Sequence, residues 1–235
     1  MSIIEAKNLT KVYRRGREEI FALKDVNFDV DPGEFISIVG PSGSGKTALL
    51  NVLGCLDTPN RGSLKLDGTE ISGMKERDLV KLRREKIGFV FQQFFLMPTL
   101  TARENIELPL LFSHKNHKNG NKSRIDDVLE MVGLSDRADH LPGQLSGGEM
   151  QRVAIGRALI NGPKIIMADE PTGNLDTATA QMIYELFQEL NRQGLTLIIV
   201  THNLDLANLS GKTFTLRDGK IVGCEERAYK STHST

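Results

Sequence analysis

The chain has 235 residues, and 39% of them are hydrophobic, enough to fill the core of one large domain or two small ones. Its 30 basic and 30 acidic residues cancel to a formal net charge of zero, which removes any global attraction to nucleic acid or to an anionic membrane, so a partner must be recognised by a local surface. Cys55 and Cys224 stand far apart without metal-ligand spacing and read as reduced thiols. No apolar run is long enough to cross a bilayer, and the N-terminus lacks the apolar stretch of a signal peptide. The expectation is a cytosolic chain with no internal repeat, reaching a membrane only through a partner.

In chain order, residues 3–28 read as short strands around a polar turn at 14–19. Tyr13, just before that turn, is either an ordinary strand aromatic or a flat face for an adenine ring; spacing alone does not choose. Asp31, Pro32 and Gly33 make a turn. The apolar run 35–39 predicts a buried strand. After it come Gly40, Pro41, Ser42, Gly43, Ser44, Gly45, Lys46 and Thr47, then Ala48 and an apolar helix. The pattern G-x-x-x-x-G-K-[ST] between strand and helix is a P-loop. Its glycines admit phosphate to the backbone, its N–H groups and the helix start offer partial positive charge, Lys46 reaches the outer phosphates, and the Thr47 hydroxyl suits Mg2+. The loop alone indicates a nucleotide phosphate binder and names no reaction.

Asp67 and Gly68, set between alternating residues, predict a hairpin, so an antiparallel β-section accompanies the parallel core. Residues 74–86 predict a surface helix, and 87–91 another buried strand ending at Gln92 and Gln93. The apolar segment 94–98 that follows suggests a surface covered by something else. Thr101 and Glu104 have capping-box spacing. Residues 113–124 read as a mobile loop, and its His114 and His117 lack companion ligands for a metal. Ile125, Val128, Leu129 and Val132 mark an amphipathic helix.

Ser146 and Glu149 have capping-box spacing at the start of a helix running to about Ile160, and Gly147 and Gly148 expose backbone N–H groups there. That start is either a plain glycine-rich cap or a second anion site. Gly156 inside the helix costs roughly 1 kcal/mol against alanine. The strand 164–168 delivers Asp169 and Glu170. A turn at 172–176 precedes a helix with Ala178, Met182, Ile183, Leu186, Phe187 and Leu190 on one stripe. The strand 196–201 ends in His202. Residues 217–219 predict a second hairpin, and the polar tail begins at Glu225.

Four apolar strands therefore deliver polar groups at their carboxyl ends: the phosphate loop, Gln92, the Asp169–Glu170 pair and His202. Ligands of open α/β sheets bind beyond such ends. Asp169 suits Mg2+, and Glu170, projecting differently, suits a general base for an attacking water. The Ser146 helix start has no role in that pocket, but aimed outward it could bind the phosphate held by a second copy.

These residues together resemble the ATP-binding subunits of ABC transporters over nearly the whole chain. Leu145, Ser146, Gly147, Gly148 and Glu149 match the signature sequence; the P-loop, Gln92, Asp169–Glu170, Asn174–Leu175–Asp176 and His202 follow the family's order. The stretches 54–57, 89–94 and 170–176 look like the subgroup of lipoprotein-releasing and macrolide-exporting transporters. The resemblance implies a single α/β P-loop cassette over residues 1–235, with a mostly parallel core sheet, an antiparallel β-section and a helical lobe at about 95–158. It implies ATP and Mg2+, an ATP-dependent head-to-tail homodimer, and a place on the cytoplasmic face of the membrane. It also implies an integral membrane permease docked at residues 92–97.

By the same resemblance, Lys46 and the loop amides bind one face of the nucleotide, and Ser146, Gly147 and Gly148 of the other copy bind the opposite face. Tyr13 stacks on adenine. Thr47 and Gln92 join Asp169 around Mg2+, Glu170 is the base, His202 senses the γ-phosphate, and Asp176 belongs to a loop crossing the dimer. Ala48, Asn203, and the pair Glu149–Met150 depart from common family residues without removing a catalytic group. A soluble ABC ATPase, or one driving a signalling or mechanical membrane complex, would use the same cassette.

Overall fold

The computed structural model describes residues 1–112 and 121–227. In chain order its elements are β1 (Ile4–Arg15), β2 (Glu18–Val30), β3 (Phe35–Val39), α1 (Lys46–Leu53), β4 (Arg61–Leu66), β5 (Thr69–Glu70), α2 (Glu76–Lys86), β6 (Ile87–Phe91), α3 (Ala102–Leu111), α4 (Asn121–Met131), α5 (Gly147–Leu159), β7 (Ile165–Asp169), α6 (Thr177–Arg192), β8 (Thr196–Val200), α7 (Leu204–Ala207), β9 (Lys212–Arg217) and β10 (Lys220–Glu226). They fall into two compact units, Met1–Met74 with Thr196–Thr235, and Lys75–Leu195.

The first unit holds an antiparallel sheet ordered β2-β1-β4-β5 and a strand set ordered β10-β9-β3-β8. In that set β3 pairs in parallel with both β8 and β9. Every residue of β3 and β8 is buried, as continuous apolar runs require of strands covered on both faces. Both Asp-Gly hairpins form, and their central residues, Asp67–Gly68 and Asp218–Gly219, sit at the positive φ such turns need. The first 30 residues differ from expectation. They make two long strands, and the turn shrinks because the charged residues pair across the ladder, Arg14 with Glu19 and Arg15 with Glu18. Polarity there marks a cross-strand ion pair, not a loop. β10 likewise takes in Glu225 and Glu226, which the sequence assigned to the tail.

In the second unit β6 and β7 run parallel, in register from Ile87 opposite Ile165 to Phe91 opposite Asp169. Helices α3, α4 and α5 lie in the stretch expected to be helical. Thr101 and Glu104 form the capping box that starts α3. The core face of α4 is the expected set Ile125, Val128, Leu129 and Val132. Residues 121–124 belong to α4 and not to a loop, because its first turn turns Lys122, Ser123 and Arg124 to solvent. Residues 113–120, with His114 and His117, lie outside the described residues, as does the tail beyond 227.

The glycine within α5 is a contact point. A Cβ on Gly156 would lie 2.9 Å from Ile106 Cδ1 and 3.2 Å from Val128 Cγ1, so its absence lets α3 and α4 close on α5. The stripe of α6 is displaced from expectation: Ala180, Ile183, Tyr184, Phe187, Leu190 and Asn191 are buried, while Ala178 and Met182 are exposed. Tyr184 fills the core as a large flat side chain, which a count of aliphatic residues overlooks.

Candidate functional site

The predicted site residues fall into two sets, one in each unit. In the first unit, β3 runs straight into the phosphate loop. Pro41, Ser42 and Gly43 are exposed, whereas Ser44 is buried. Gly45 is the N-cap of α1 at φ 104, and the helix starts without a side-chain cap. Thr101, Ser146 and Asp176 do cap α3, α5 and α6. A helix offers its first-turn N–H groups no internal acceptor, and at α1 no capping side chain takes one up.

The loop is fixed from outside. Gly219 N donates to Ser44 O at 2.9 Å, and a Cβ on Gly45 would stand 2.3 Å from the Ala22 carbonyl oxygen. A Cβ on Gly43 would meet nothing within 4 Å. The wall behind the loop is therefore closed and its mouth open. Lys46 Nζ donates to the carbonyls of Gly40 at 2.8 Å and Pro41 at 3.0 Å, so its charge is held over the loop. Thr47 lies exposed on the first turn of α1, with Ala48 next. The Oγ of Ser44 is buried with no hydrogen-bond partner among the described residues, the kind of defect a ligand oxygen relieves.

His202 belongs to the same unit. β8 lies alongside β3, and Thr201 N donates to Ile38 O at 3.1 Å, so exposed His202 leaves the sheet beside the strand that carries the loop. Asn203, its neighbour, donates its N–H to Thr201 Oγ1. Tyr13, on β1, is 38% exposed, and its hydroxyl donates to Asp57 Oδ2 at 2.9 Å. Burial pushes that phenol up to about 12, aided by the hydrogen bond to Asp57 and its charge.

In the second unit the pairing of β6 with β7 sets Gln92 and Glu170 at adjacent strand ends. Asn174 joins them: its amide donates to the Gln92 carbonyl at 3.0 Å, and its side-chain oxygen accepts from Gln92 Nε2 at 3.2 Å. Because the Asn174 NH2 is committed to a carbonyl, its oxygen must receive the Gln92 amide. The Gln92 Oε1 is thereby the atom that this pair does not use. Glu170 sits at φ 47, a left-handed backbone that few glutamates adopt, and its carbonyl accepts from Gly173 N at 3.0 Å to close the turn. Asp169 is the last residue of β7.

The start of α5 lies against the start of α6. Ser146 Oγ accepts from Glu149 N, and Ser146 N donates to Glu149 Oε2 at 2.8 Å, a reciprocal capping box. The hydrogen bonds from Ser146 hold the Glu149 carboxyl below its ordinary value, with help from Arg137, whose Nε lies 3.1 Å away. Gly148 is buried because its would-be Cβ position is taken by Thr179 Cγ2 at 2.3 Å, and Gly147 faces Leu175. The remaining first-turn N–H groups, those of Gly147 and Gly148, open a second amide-lined helix start. Asp176 caps α6, accepting from Thr179 N at 3.0 Å and Thr179 Oγ1 at 2.6 Å, which holds its carboxyl low.

Sequence reasoning gave no role to three side chains that shape this unit. Arg157 donates to the carbonyls of Phe95 at 2.6 Å and Phe94 at 2.8 Å, and Phe95 stands at φ 48. Burial lowers the pKa of that guanidinium. Asn105, fully buried, receives Met97 N at 2.8 Å and donates to the carbonyls of Met97, Leu100 and Thr101. Asn174 was quoted only as part of a motif. The partners are mostly backbone atoms, which leave no mark in a sequence. The segment after Gln92 is thus clamped through its backbone while Phe95, 61% exposed, and Met97, 48% exposed, project outward.

The hydroxyl of Thr47, the amide oxygen of Gln92 and the carboxylate of Asp169 are hard oxygen donors of the kind Mg2+ takes beside phosphate oxygens. No cluster of three or more His, Cys, Asp or Glu that could hold a metal by itself occurs among the described residues. No helix among them is long and apolar enough to cross a membrane.

Comparison with known proteins places these features. A family model described as "ABC transporter" matches residues 23–173. An ABC transporter ATP-binding protein of Thermotoga maritima is 49% identical over 225 residues, covering 96% of each chain. The macrolide export ATP-binding/permease protein MacB of Neisseria meningitidis is 44% identical over 94% of this chain, which spans only 34% of that longer protein. Among solved structures, the ATP-binding cassette MJ0796, whose sequence is from Methanocaldococcus jannaschii, superposes with a TM-score of 0.88 at 46% identity, over 96% of this chain and 99% of that one; it is described as a dimer in a post-hydrolysis state bound to ADP and Pi. The chain therefore belongs to the ABC transporter family and is one of its ATP-binding proteins.

Proposed function

We propose that this chain hydrolyses ATP as a head-to-tail homodimer and so drives an integral membrane permease, of the exporting or lipoprotein-extruding kind, from the cytoplasmic face of the membrane. One observation carries the reading: the chain has two amide-lined helix starts, at α1 and at α5, each built around glycine. A single nucleotide has one triphosphate, so a second seat is explained by a nucleotide held on another copy. The dimer with ADP and Pi described for MJ0796 and the ATP-binding/permease chain of MacB support the assembly.

In this reading residues 1–235 act as one cassette. Gly40, Pro41, Ser42, Gly43, Ser44, Gly45 and Ala48 cradle the phosphates, and Lys46 turns from its loop carbonyls to the outer ones. Tyr13 stacks on adenine. Thr47, Gln92 and Asp169 hold Mg2+, which supplies neutralisation of phosphate charge. Glu170 accepts a proton from water as its oxygen bonds to the γ-phosphorus and the bond to the β-phosphate oxygen breaks, releasing ADP and phosphate. His202 donates to the γ-phosphate. Ser146, Gly147 and Gly148 of the partner copy close over it, with Asp176 beside the crossing. Exposed Phe95 and Met97 are the knobs presented to the permease, and the reading involves no nucleic acid, to which a net charge of zero gives no global attraction.

The test is Glu170→Gln. General-base loss should lower turnover by about 100- to 10,000-fold while leaving ATP bound, and the variant should elute as a dimer with Mg2+ and ATP. Turnover at the unmutated rate, or a monomer under those conditions, overturns the reading.

A further inference from the structure

Tyr13 is tied more firmly than an exposed strand tyrosine needs to be. Its hydroxyl donates to Asp57 Oδ2 at 2.9 Å, while Asp57 Oδ1 accepts from Lys11 Nζ and from Thr58 N. Lys11 also donates to Thr58 O at 2.8 Å. Lys11 and Tyr13 are two residues apart on β1, so they share a face of the sheet. The ammonium lies over the Tyr13 ring, 5.1 Å from its centroid.

Asp57 is itself anchored. Its N–H and that of Leu56 both donate to Asn51 O, and Cys55 N donates to Val52 O, so the chain leaving α1 is folded back on the last turn of that helix. α1 begins at the phosphate loop and, with eight residues, is about 12 Å long. The phenol is thus bound to the far end of the helix whose near end carries the phosphate seat.

Lys11 is 8% exposed, and a buried ammonium must be paired. Such pairs add little net stability compared with apolar replacements, and this one fixes the orientation of the ring it touches. Here the orientation has a chemical consequence. One face of the Tyr13 ring is taken by the ammonium, and rotation is stopped by Asp57. Only the opposite face is left for a flat ligand.

We propose that Lys11 and Asp57 are positioning residues that present a single face of Tyr13 to the purine of ATP, at a fixed separation from the phosphate loop. The proposal rests on the reading of Tyr13 as the adenine platform. It assigns Lys11 and Asp57 no contact with nucleotide; they act through the ring.

The experiment measures KM and kcat for ATP, and equilibrium binding of ATP and of inorganic tripolyphosphate, on the full chain. The variants are Asp57→Asn, Lys11→Met, Tyr13→Phe, the Asp57→Asn/Tyr13→Phe double, and Tyr13→Ala. Asp57→Asn and Tyr13→Phe should each weaken ATP binding and raise KM by about threefold to tenfold, the effect of losing one ordering hydrogen bond, with a smaller change in kcat. Lys11→Met, which keeps the stem and removes the charge, should do the same. The double variant should be no worse than either single one, and tripolyphosphate should bind all of them alike. Unchanged KM in Asp57→Asn and Lys11→Met overturns the proposal. So does a parallel loss of tripolyphosphate binding, which would make the network a support for α1 and not for the ring. Effects that multiply in the double variant also overturn it. If Tyr13→Ala leaves ATP binding intact, the platform reading itself fails; if Tyr13→Ala weakens it while Asp57→Asn does not, only the positioning role fails.

Discussion

Two glycines of the phosphate loop should fail in opposite ways when given a methyl group. Gly45 is at φ 104, and its Cβ would stand 2.3 Å from the Ala22 carbonyl oxygen. That carbonyl cannot retreat cheaply. Ala22 lies in β2, which pairs with β1 on either side of it, and Lys24 N donates to Gly219 O at 2.8 Å. Gly45→Ala thus combines left-handed strain of about 1–2 kcal/mol with overpacking of about 1–3 kcal/mol, a total of roughly 2–5 kcal/mol. For a chain of this size that is a fall of roughly 4–20 °C in Tm. Gly43 is at φ 77, but its Cβ would meet nothing within 4 Å. Gly43→Ala should cost only the backbone strain, about 1–2 kcal/mol, and place its methyl where phosphate is expected. Thermal unfolding and ATP binding, measured on both variants, separate the two effects. Gly45→Ala should be the less stable protein. Gly43→Ala should keep most of its stability and lose at least about tenfold in ATP affinity, as a lost phosphate contact implies. If Gly43→Ala binds ATP as tightly as the parent, the open mouth of the loop is not the phosphate seat.

Three further outcomes follow from the same geometry. Asn174→Ala frees Gln92 to rotate, so the Mg2+ concentration for half-maximal ATPase should rise several-fold, about what one lost hydrogen bond implies, and an unchanged Mg2+ titration would deny Asn174 that role. Gly156→Ala gains about 1 kcal/mol of helix propensity but overpacks against Ile106 and Val128 by about 1–3 kcal/mol, so urea unfolding should show net loss up to about 2 kcal/mol that Ile106→Val relieves; a stabilised single variant would show that α3 can move aside. The neutral phenol of Tyr13 is favoured by folding, so its contribution is complete below pH 10 and is lost as pH rises through about 12. The tyrosinate absorbance missing from Tyr13→Phe should therefore be the part that titrates near 12, and a missing transition near 10 would mean that the burial of the phenol against Asp57 does not persist in solution.

The sequence alone determined every element whose cause is local. Short apolar runs bounded by turn residues suit strands buried in a sheet, and so 87–91 and 196–201 were legible as β6 and, one residue shorter, β8. Asp-Gly pairs make tight turns, and Ser or Thr followed by Glu makes a capped helix start, because the groups that satisfy each other are a few residues apart. The P-loop and the Ser146 helix start are sites of this kind, made of backbone amides that a glycine pattern reports. Tertiary structure decided what depends on partners distant in sequence. It put Asp57 on Tyr13 across 44 residues and Asn174 on Gln92 across 82, and it sent Arg157 to the carbonyls of Phe94 and Phe95. It also turned the α6 stripe toward Tyr184 and made a ladder where residues 14–19 had looked like a turn. A carbonyl oxygen is the same for all twenty residues, and a charged pair looks alike in a loop or across two strands. Such contacts exist only once the chain has been brought back on itself.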